Sequence, residues 1–208
     1  MAYYPVCLEM AGRRCLVVGA GTVAERKVNG LLGAGARVTV VSPSATERLL
    51  DWARAGRIGL TLREYAADDL AGHSIVFGAT DDGLINAEVA RDARAAGVLI
   101  NAADDPAHCD FILPAVLTRG DLTVAVSTGG ASPALARVIR DELGAFLDRD
   151  DYAALARVAA DARRMLRDRG SPAPWERWRR ALGGEVHSLV RADRLDAARE
   201  RLLDGLRG

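Results

Sequence analysis

The sequence is poor in several features that define common classes of protein. Its 208 residues include 28 basic and 28 acidic side chains, so the formal net charge is zero. Phosphate contacts need a basic excess, and this balance argues against a generic nucleic-acid-binding protein. The three cysteines show no CxxC spacing, which indicates a cytoplasmic protein with reduced thiols. Apolar runs such as 15–18 and 38–41 are far too short to span a bilayer, so no membrane association is expected.

The first half of the chain alternates between strand-like and helix-like segments. This alternation predicts a parallel sheet built from right-handed βαβ units. A further short strand is expected at 6–9, paired with the first strand of the sheet across the turn at 10–13. The predicted strands of the sheet are 14–18, 37–41, 58–62, 74–79 and 98–101.

The pattern changes after about residue 110. Apolar runs at 111–117 and 122–127 predict a hairpin, and Ser132-Pro133 predicts a helix start with serine as N-cap. Two short strands and one helix make a poor core alone, so this region is expected to dimerise. The predicted fold is α/β: a Rossmann-type parallel-sheet domain, a small α+β dimerisation region and a C-terminal helical domain. The predicted boundaries are 1–111, 112–148 and 149–208.

A glycine-rich turn lies between the first predicted strand and the first predicted helix. Gly19 permits the tight turn, Gly21 lets backbone amides approach a pyrophosphate, and Ala24 is small enough for close strand–helix packing. The sequence therefore predicts dinucleotide binding here. The second strand ends in Ser42-Pro43-Ser44, without the acidic residue that usually binds the adenosine ribose of NAD, so the residues alone leave NAD and NADP open.

Two further polar segments follow predicted strands. Ala79-Thr-Asp-Asp82 comes after a buried strand, where open α/β sheets bind ligands, although the same residues suit a helix cap. Asn101-Ala-Ala-Asp104-Asp105 follows the next strand, and an aspartate there is a candidate for proton transfer or for a turn before proline. Composition does not choose between Asp104 and Asp105.

The loop at 127–132 combines exposed glycine amides with a helix N-terminus. It is a candidate cradle for a carboxylate or phosphate, with Arg137 adding charge, or else a plain loop and cap. His108-Cys109-Asp110 lacks a second His or Cys cluster that would complete a tetrahedral metal site, so no permanent metal site is expected.

Four segments together resemble one known family. They are Val17-Val-Gly-Ala-Gly-Thr-Val-Ala-Glu-Arg-Lys27, Ala79-Thr-Asp-Asp82, Asn101-Ala-Ala-Asp104 and Ser127-Thr-Gly-Gly-Ala-Ser-Pro133-Ala-Leu-Ala-Arg137. In this order they resemble the precorrin-2 dehydrogenase and sirohydrochlorin ferrochelatase family of sirohaem synthesis. Some relatives carry an added methyltransferase domain, for which 208 residues leave no room, so the stand-alone form is expected.

The resemblance implies an intertwined homodimer that oxidises precorrin-2 to sirohydrochlorin with NAD as hydride acceptor. It also implies insertion of ferrous iron in some members, with Asp104 as the residue that serves the chemistry. The cofactor contacts expected on the motifs and the resemblance are Gly19, Gly21, Thr22, Val23, Ala24, Ser42, Pro43, Ser44, Thr80 and Asp81. The expected substrate contacts are Asn101, Ser127, Thr128, Gly129, Gly130, Ser132 and Arg137.

Two other functions compete with this interpretation. A non-catalytic NAD-sensing module would need a DNA-reading or channel-attached domain, and the C-terminal tail has neither a basic recognition helix nor a membrane segment. A dehydrogenase of a small hydroxy acid would usually need a histidine or lysine base near the crevice, and neither is evident.

Overall fold

A computed structural model describes residues 3–103 and 105–207. It contains two compact units, Met1–Leu113 and Pro114–Gly208. The separation of 112–148 from 149–208 into two domains stays a prediction.

The first unit contains five strands, β1 (Arg14–Val18), β2 (Arg37–Val41), β3 (Gly59–Thr61), β4 (Ile75–Gly78) and β5 (Leu99–Ala102). They form a parallel sheet with the order β3-β2-β1-β4-β5. Because the chain proceeds from β1 toward one edge and from β4 toward the other, the strand order reverses between β1 and β4. Open sheets of this kind bind ligands at that switch point, beyond the carboxyl ends of the strands. The helices that connect these strands are α1 (Thr22–Gly33), α2 (Glu47–Arg54) and α3 (Gly83–Ala95).

Both faces of the sheet are buried. Along β1, Cys15 and Val17 pack into one apolar cluster, while Leu16 and Val18 pack into another on the opposite face. This follows from the two-residue period of a strand. The first cluster includes the buried side of α1, and the second includes that of α3. Burial on both faces explains why these strands are almost continuously apolar in the sequence.

The expected strand at 6–9 is not formed. Residues 6–9 are exposed and have no strand assignment, and the chain enters β1 through a turn in which the amide of Arg13 donates to the carbonyl of Met10 at 3.0 Å. The amide of Gly12 donates to the carbonyl of Gly35 at 2.8 Å, so this segment is attached to the turn before β2. Local apolar character alone therefore gave a wrong prediction here.

The second unit begins with an antiparallel hairpin, as predicted, formed by β6 (Ala115–Arg119) and β7 (Leu122–Val126). Helix α4 (Pro133–Arg149) packs on it: a Cβ atom on Gly144 would lie 3.6 Å from Leu117, and Arg119 forms an ion pair with Asp148 at 2.6 Å. Four helices follow with an apolar core of their own. They are α5 (Tyr152–Asp168), α6 (Trp175–Ala181), α7 (Glu185–Arg191) and α8 (Leu195–Arg207).

The predicted fold class is confirmed: a Rossmann-type parallel sheet, a small antiparallel hairpin with a helix, and a C-terminal helical region. In the part of the chain that the structure describes, no helix is long and apolar enough to cross a membrane. The expected cytoplasmic location stays a prediction.

Candidate dinucleotide site

Gly19 is a glycine for structural reasons. Its backbone has φ +100°, and a Cβ atom built on it would lie 2.5 Å from the carbonyl oxygen of Ala79. The loop after β1 therefore touches the loop after β4, backbone to backbone, at the switch point of the sheet. Any side chain larger than hydrogen at this position would force the two loops apart.

Gly21 is a glycine for a different reason. It is exposed, its φ of −86° is open to any residue, and a Cβ atom on it would meet no protein atom within 4 Å. The protein itself does not require glycine here. The space next to Gly21 is therefore open at the start of the helix, as expected for a residue that lets a ligand approach the first amides.

The N-terminus of α1 offers unpaired backbone donors to such a ligand. Gly21 is the N-cap and supplies no side-chain hydrogen bond. The first amides of a helix have no partner within the helix, and the helix dipole favours an anion there. Thr22 is exposed and Val23 half-buried, whereas Ala24 is fully buried in the sheet core. The residues present fit a pyrophosphate, with Ala24 contributing packing against the strand.

A buried asparagine that the sequence prediction missed orients the loop after β4. The side-chain oxygen of Asn86 lies 2.9 Å from the hydroxyl of Thr80, and its amide nitrogen donates to the carbonyl of Thr80 at 3.0 Å. Asp82 caps α3 by accepting from the amides of Leu84 and Ile85. The cap predicted for this segment therefore exists and is formed by Asp82. Thr80 remains half-buried and Asp81 exposed.

The segment after β2 bears on the choice of nucleotide. Ser42 is buried and donates its amide to the carbonyl of Thr61 at 3.2 Å, while Pro43 and Ser44 are exposed. Arg48, the nearest arginine in sequence after this turn, stacks on the ring of Trp52, with its guanidinium carbon 4.9 Å from the ring centre. This cation–π contact occupies the side chain that a 2′-phosphate would attract.

The end of β5 is held by a polar network centred on Asn101, which is buried. Lys27 donates to the side-chain oxygen of Asn101 at 2.7 Å, and the amide nitrogen of Asn101 donates to the carbonyl of Phe111 at 2.9 Å. The Lys27 ammonium also lies 5.1 Å from the centre of the Phe77 ring. The network links α1 to β5 and to the segment that follows it. No sequence pattern pairs Lys27 with a residue 74 positions away, so the prediction missed it.

Cys109 completes this network. Its sulfur accepts from the amide of Ala102 at 3.2 Å and lies 3.2 Å from the carbonyl oxygen of Asp105. Burial raises the pKa of the Cys109 thiol, so the neutral form is favoured and the side chain acts as a structural group. The thiol therefore ties together two ends of the turn that follows β5.

Of the two candidate aspartates, Asp104 lies outside the described residues. The carboxylate of Asp105 is hydrogen-bonded to Nδ1 of His108, and this bond lowers the pKa of Asp105. Because the Asp105 carboxylate is paired and kept ionised in this way, a structural role in the turn before proline fits it better than proton transfer. Within residues 3–103 and 105–207, no cluster of three His, Cys, Asp or Glu residues could hold a metal ion.

The 127–132 loop lies in the second unit and is largely closed on itself. Thr128 Oγ1 accepts from the amide of Ser132 at 2.9 Å, and Ser127 Oγ accepts from that of Gly129 at 3.1 Å. Ser132 caps α4 through the amide of Leu135 at 3.2 Å, as predicted. Gly129 and Gly130 have φ of +64° and +89°, so both glycines serve the turn. Arg137 is exposed.

The sheet topology, the strained first glycine and the open space at Gly21 define a Rossmann-type nucleotide-binding protein. Residues 6–115 match the family model described as "Putative NAD(P)-binding", and residues 119–145 match the model of the central part of sirohaem biosynthesis proteins. The chain belongs to this NAD(P)-binding family, which includes the sirohaem synthases, and the expected resemblance is confirmed.

Individual relatives agree with the two models. The chain is 41% identical to the sirohaem synthase of Methylococcus capsulatus over 98% of its length, and 40% identical to that of Nitrosococcus oceani over 99%. It spans 43% of the length of each of these two proteins. A solved structure of SirC, a precorrin-2 dehydrogenase, superposes with a TM-score of 0.73 and 27% identity, covering 96% of this chain and all of SirC. The prediction of a nicotinamide dinucleotide cofactor is thereby confirmed as NAD(P).

The two glycines generate the first testable prediction. Gly21→Val should abolish detectable binding of NAD and lower thermal stability much less than a substitution at Gly19, because a Cβ atom at Gly21 meets no protein atom within 4 Å while the side chain fills the proposed approach to the amides of α1. Dissociation constants from calorimetric titration and melting curves test both halves.

Gly19→Ala is the matched control. It should destabilise the fold by about 1–3 kcal/mol or more, since it adds backbone strain and a clash with Ala79. Unchanged affinity for NAD in Gly21→Val would show that the pyrophosphate does not bind at this loop.

Proposed function

We propose that the chain catalyses the NAD-dependent oxidation of precorrin-2 to sirohydrochlorin in sirohaem synthesis. The observation that carries this proposal is the likeness to a precorrin-2 dehydrogenase that extends over all of that protein and 96% of this chain. The open glycine loop supports it independently, because an oxidation of this kind needs a hydride acceptor at the switch point of the sheet.

The residues that would hold NAD lie at the carboxyl edge of the parallel sheet. The amides of Thr22 and Val23 lie in the first turn of α1 and have no partner within the helix, so we propose them as donors to the pyrophosphate. The turn 42–44 follows β2 on the adenosine side, and Thr80, fixed by Asn86, follows β4 together with Asp81. When bound, NAD supplies the nicotinamide ring that accepts a hydride from the substrate.

Asp104 is proposed as the general base. The oxidation releases a proton from the substrate for each hydride removed, and a carboxylate beside the crevice accepts it. The neighbouring Asp105 is paired with His108, so we assign it a structural role in the turn. The network of Lys27, Asn101 and Cys109 fixes the chain on both sides of position 104, at Ala102 and at Asp105.

For the substrate we propose the segment 127–132 and Arg137, together with Asn101, as contacts for its carboxylates. Precorrin-2 is rich in carboxylates, which guanidinium groups bind in a bidentate manner. The hydroxyls of Ser127 and Thr128 already accept hydrogen bonds from amides of the loop. Arg137 is exposed and can bind a carboxylate, whereas the side chain of Asn101 is largely engaged within the protein.

Insertion of ferrous iron into sirohydrochlorin stays a prediction from the resemblance. In that reaction iron is a substrate, and the proposed Asp104 would accept the pyrrole protons. The cytoplasmic location is likewise retained as part of this proposal.

A non-catalytic NAD-sensing module is the alternative that an activity assay separates most clearly. Purified protein supplied with precorrin-2 and NAD should produce sirohydrochlorin, followed by its absorbance. A protein that binds NAD tightly but leaves precorrin-2 unchanged would support the sensor instead.

The role of Asp104 gives a prediction within this assay. Asp104→Ala should lower the rate of precorrin-2 oxidation by about 10²–10⁴-fold, the usual cost of losing a positioned general base. Binding of NAD should be unaffected. Asp105→Ala is the adjacent control and should have a much smaller effect, because its carboxylate is paired with His108. Equal rates in Asp104→Ala and the parent would remove Asp104 from the mechanism.

We also predict a preference for NAD over NADP. The turn after β2 carries no arginine, and the guanidinium of Arg48 is stacked on Trp52. The described residues of this turn therefore offer no cation positioned to bind a 2′-phosphate. Turnover measured with each nucleotide at equal concentration tests this, and comparable rates would contradict it.

The homodimer is proposed from the exposed apolar surface of the second unit. Every residue of β6 and β7 is at least partly exposed, and the 17-residue helix α4 buries only Ala136 and Gly144. Large apolar side chains remain exposed on these elements, namely Val116, Leu135, Val138, Leu143 and Phe146. Exposed apolar side chains in this number favour an interaction surface, and an isolated hairpin is marginally stable.

The corresponding prediction concerns oligomeric state. The parent should be a dimer at micromolar concentration by light scattering, and Val138→Asp should shift it toward monomer because it places a charge in the apolar surface. Leu62→Asp is a matched control, since Leu62 is 57% exposed and lies in the first unit. A monomeric parent, or a dimer that Val138→Asp leaves intact, would contradict the proposed interface.

A further inference from the structure

A cleft between α5 and α6 in the helical region has no role in the function described above. Its volume is about 1230 Å³, larger than most sites that hold drug-sized ligands, which span roughly 300–1,000 Å³. Its lining includes Arg163, Arg167, Trp175, Trp178 and Ala159. We propose that this cleft binds a planar aromatic polycarboxylate of the tetrapyrrole type. The inference rests on the proposed function for the class of its ligand.

The charge of the cleft is entirely positive. Its lining in the described residues contains three arginines and no acidic side chain. Arg164 is engaged in an ion pair with Asp161, whereas Arg163 and Arg167 form no ion pair among residues 3–103 and 105–207. They stand four residues apart on α5, which places them on neighbouring turns of one helix face. Two guanidinium groups in this arrangement can each bind a carboxylate in a bidentate manner.

The other lining residues are apolar and include two indole side chains. Trp178 packs against the helical core, and Trp175, three residues earlier, is 68% exposed. Such an exposed indole gains most from a flat partner that stacks on it. From α5 the lining includes small side chains such as Ala159, which let a ring approach the helix closely.

These features match a ligand with an apolar, planar centre and carboxylates at its rim. A tetrapyrrole of this pathway has that distribution. An acidic peptide would bring backbone amides and carbonyls that need partners of their own, and the lining offers guanidinium donors with indole and aliphatic surface instead. The cleft thus provides a second place for substrate or product, separate in the chain from the glycine loop.

The test uses uroporphyrin, a planar octacarboxylic porphyrin, as the probe and no nucleotide. The chain has three tryptophans, so a Trp52→Phe background leaves Trp175 and Trp178 as the reporters of the cleft. Titration should quench their fluorescence to saturation. Arg163→Ala combined with Arg167→Ala should raise the dissociation constant about tenfold or more, since a single lost charge-assisted contact is worth about one tenfold step.

Arg157→Ala combined with Arg169→Ala is the matched control. It removes the same net charge from α5 and its C-cap at positions outside the lining, so it should leave the affinity within about twofold of the background protein. Trp175→Ala should weaken binding as well, and its melting curve should match that of the background because the indole is largely exposed. A cationic porphyrin of similar size should not bind.

Two results would overturn the inference: no saturable quenching, or equal loss of affinity in the lining and control pairs. Both are distinguishable from failure of the proposed function. If precorrin-2 is oxidised but uroporphyrin does not bind the cleft, the cleft inference alone fails. If uroporphyrin binds the cleft but precorrin-2 is not oxidised, the dehydrogenase proposal fails.

Discussion

The contact between the backbone at Gly19 and the carbonyl of Ala79 is the constraint on which the nucleotide site depends. β1 and β4 are neighbours at the point where the strand order reverses, and their following loops diverge to helices on opposite faces. With 2.5 Å between the Ala79 oxygen and a hypothetical Cβ, the loops approach as closely as backbone allows. This approach sets where α1 begins, and so where its unpaired amides point.

In the same loop, Gly19 is needed for folding, whereas Gly21 is proposed to serve nucleotide binding. The fold requires glycine at Gly19, where φ is +100°, whereas at Gly21 the protein leaves open space and the proposed nucleotide is the reason for glycine. A Cβ atom at Gly21 meets no protein atom within 4 Å. Substitution at Gly19 is therefore expected to report on folding and substitution at Gly21 on nucleotide binding, which agrees with the roles that the motif predicts for the two glycines.

Features that depend on local sequence were predictable, and features that depend on long-range contacts were not. The βαβ alternation, the helix starts at Gly21 and Ser132 and the hairpin at 118–121 follow from residue type and spacing over a few positions. The strand expected at 6–9 failed because a strand also needs a partner edge, which periodicity does not reveal. Lys27 was missed for a related reason, because its partner Asn101 lies 74 positions away. Asn86 contacts Thr80 only six positions away, but that contact depends on how the turn between β4 and α3 folds back on the helix, which residue type and spacing do not show.

Lysine and arginine occupy different kinds of position in this chain. Of its 28 basic residues only Lys27 is a lysine, and that ammonium lies in a half-buried position between the oxygen of Asn101 and the face of Phe77. A compact ammonium on a flexible stem fits such a place, whereas a guanidinium brings five donors in a rigid plane that must all find acceptors or water. Some surface arginines form ion pairs with carboxylates, as at Arg63 and Arg119. In the helical cleft, Arg163 and Arg167 line a cavity that has two indoles and no acidic side chain among its lining residues, so positive charge and aromatic surface occur there together.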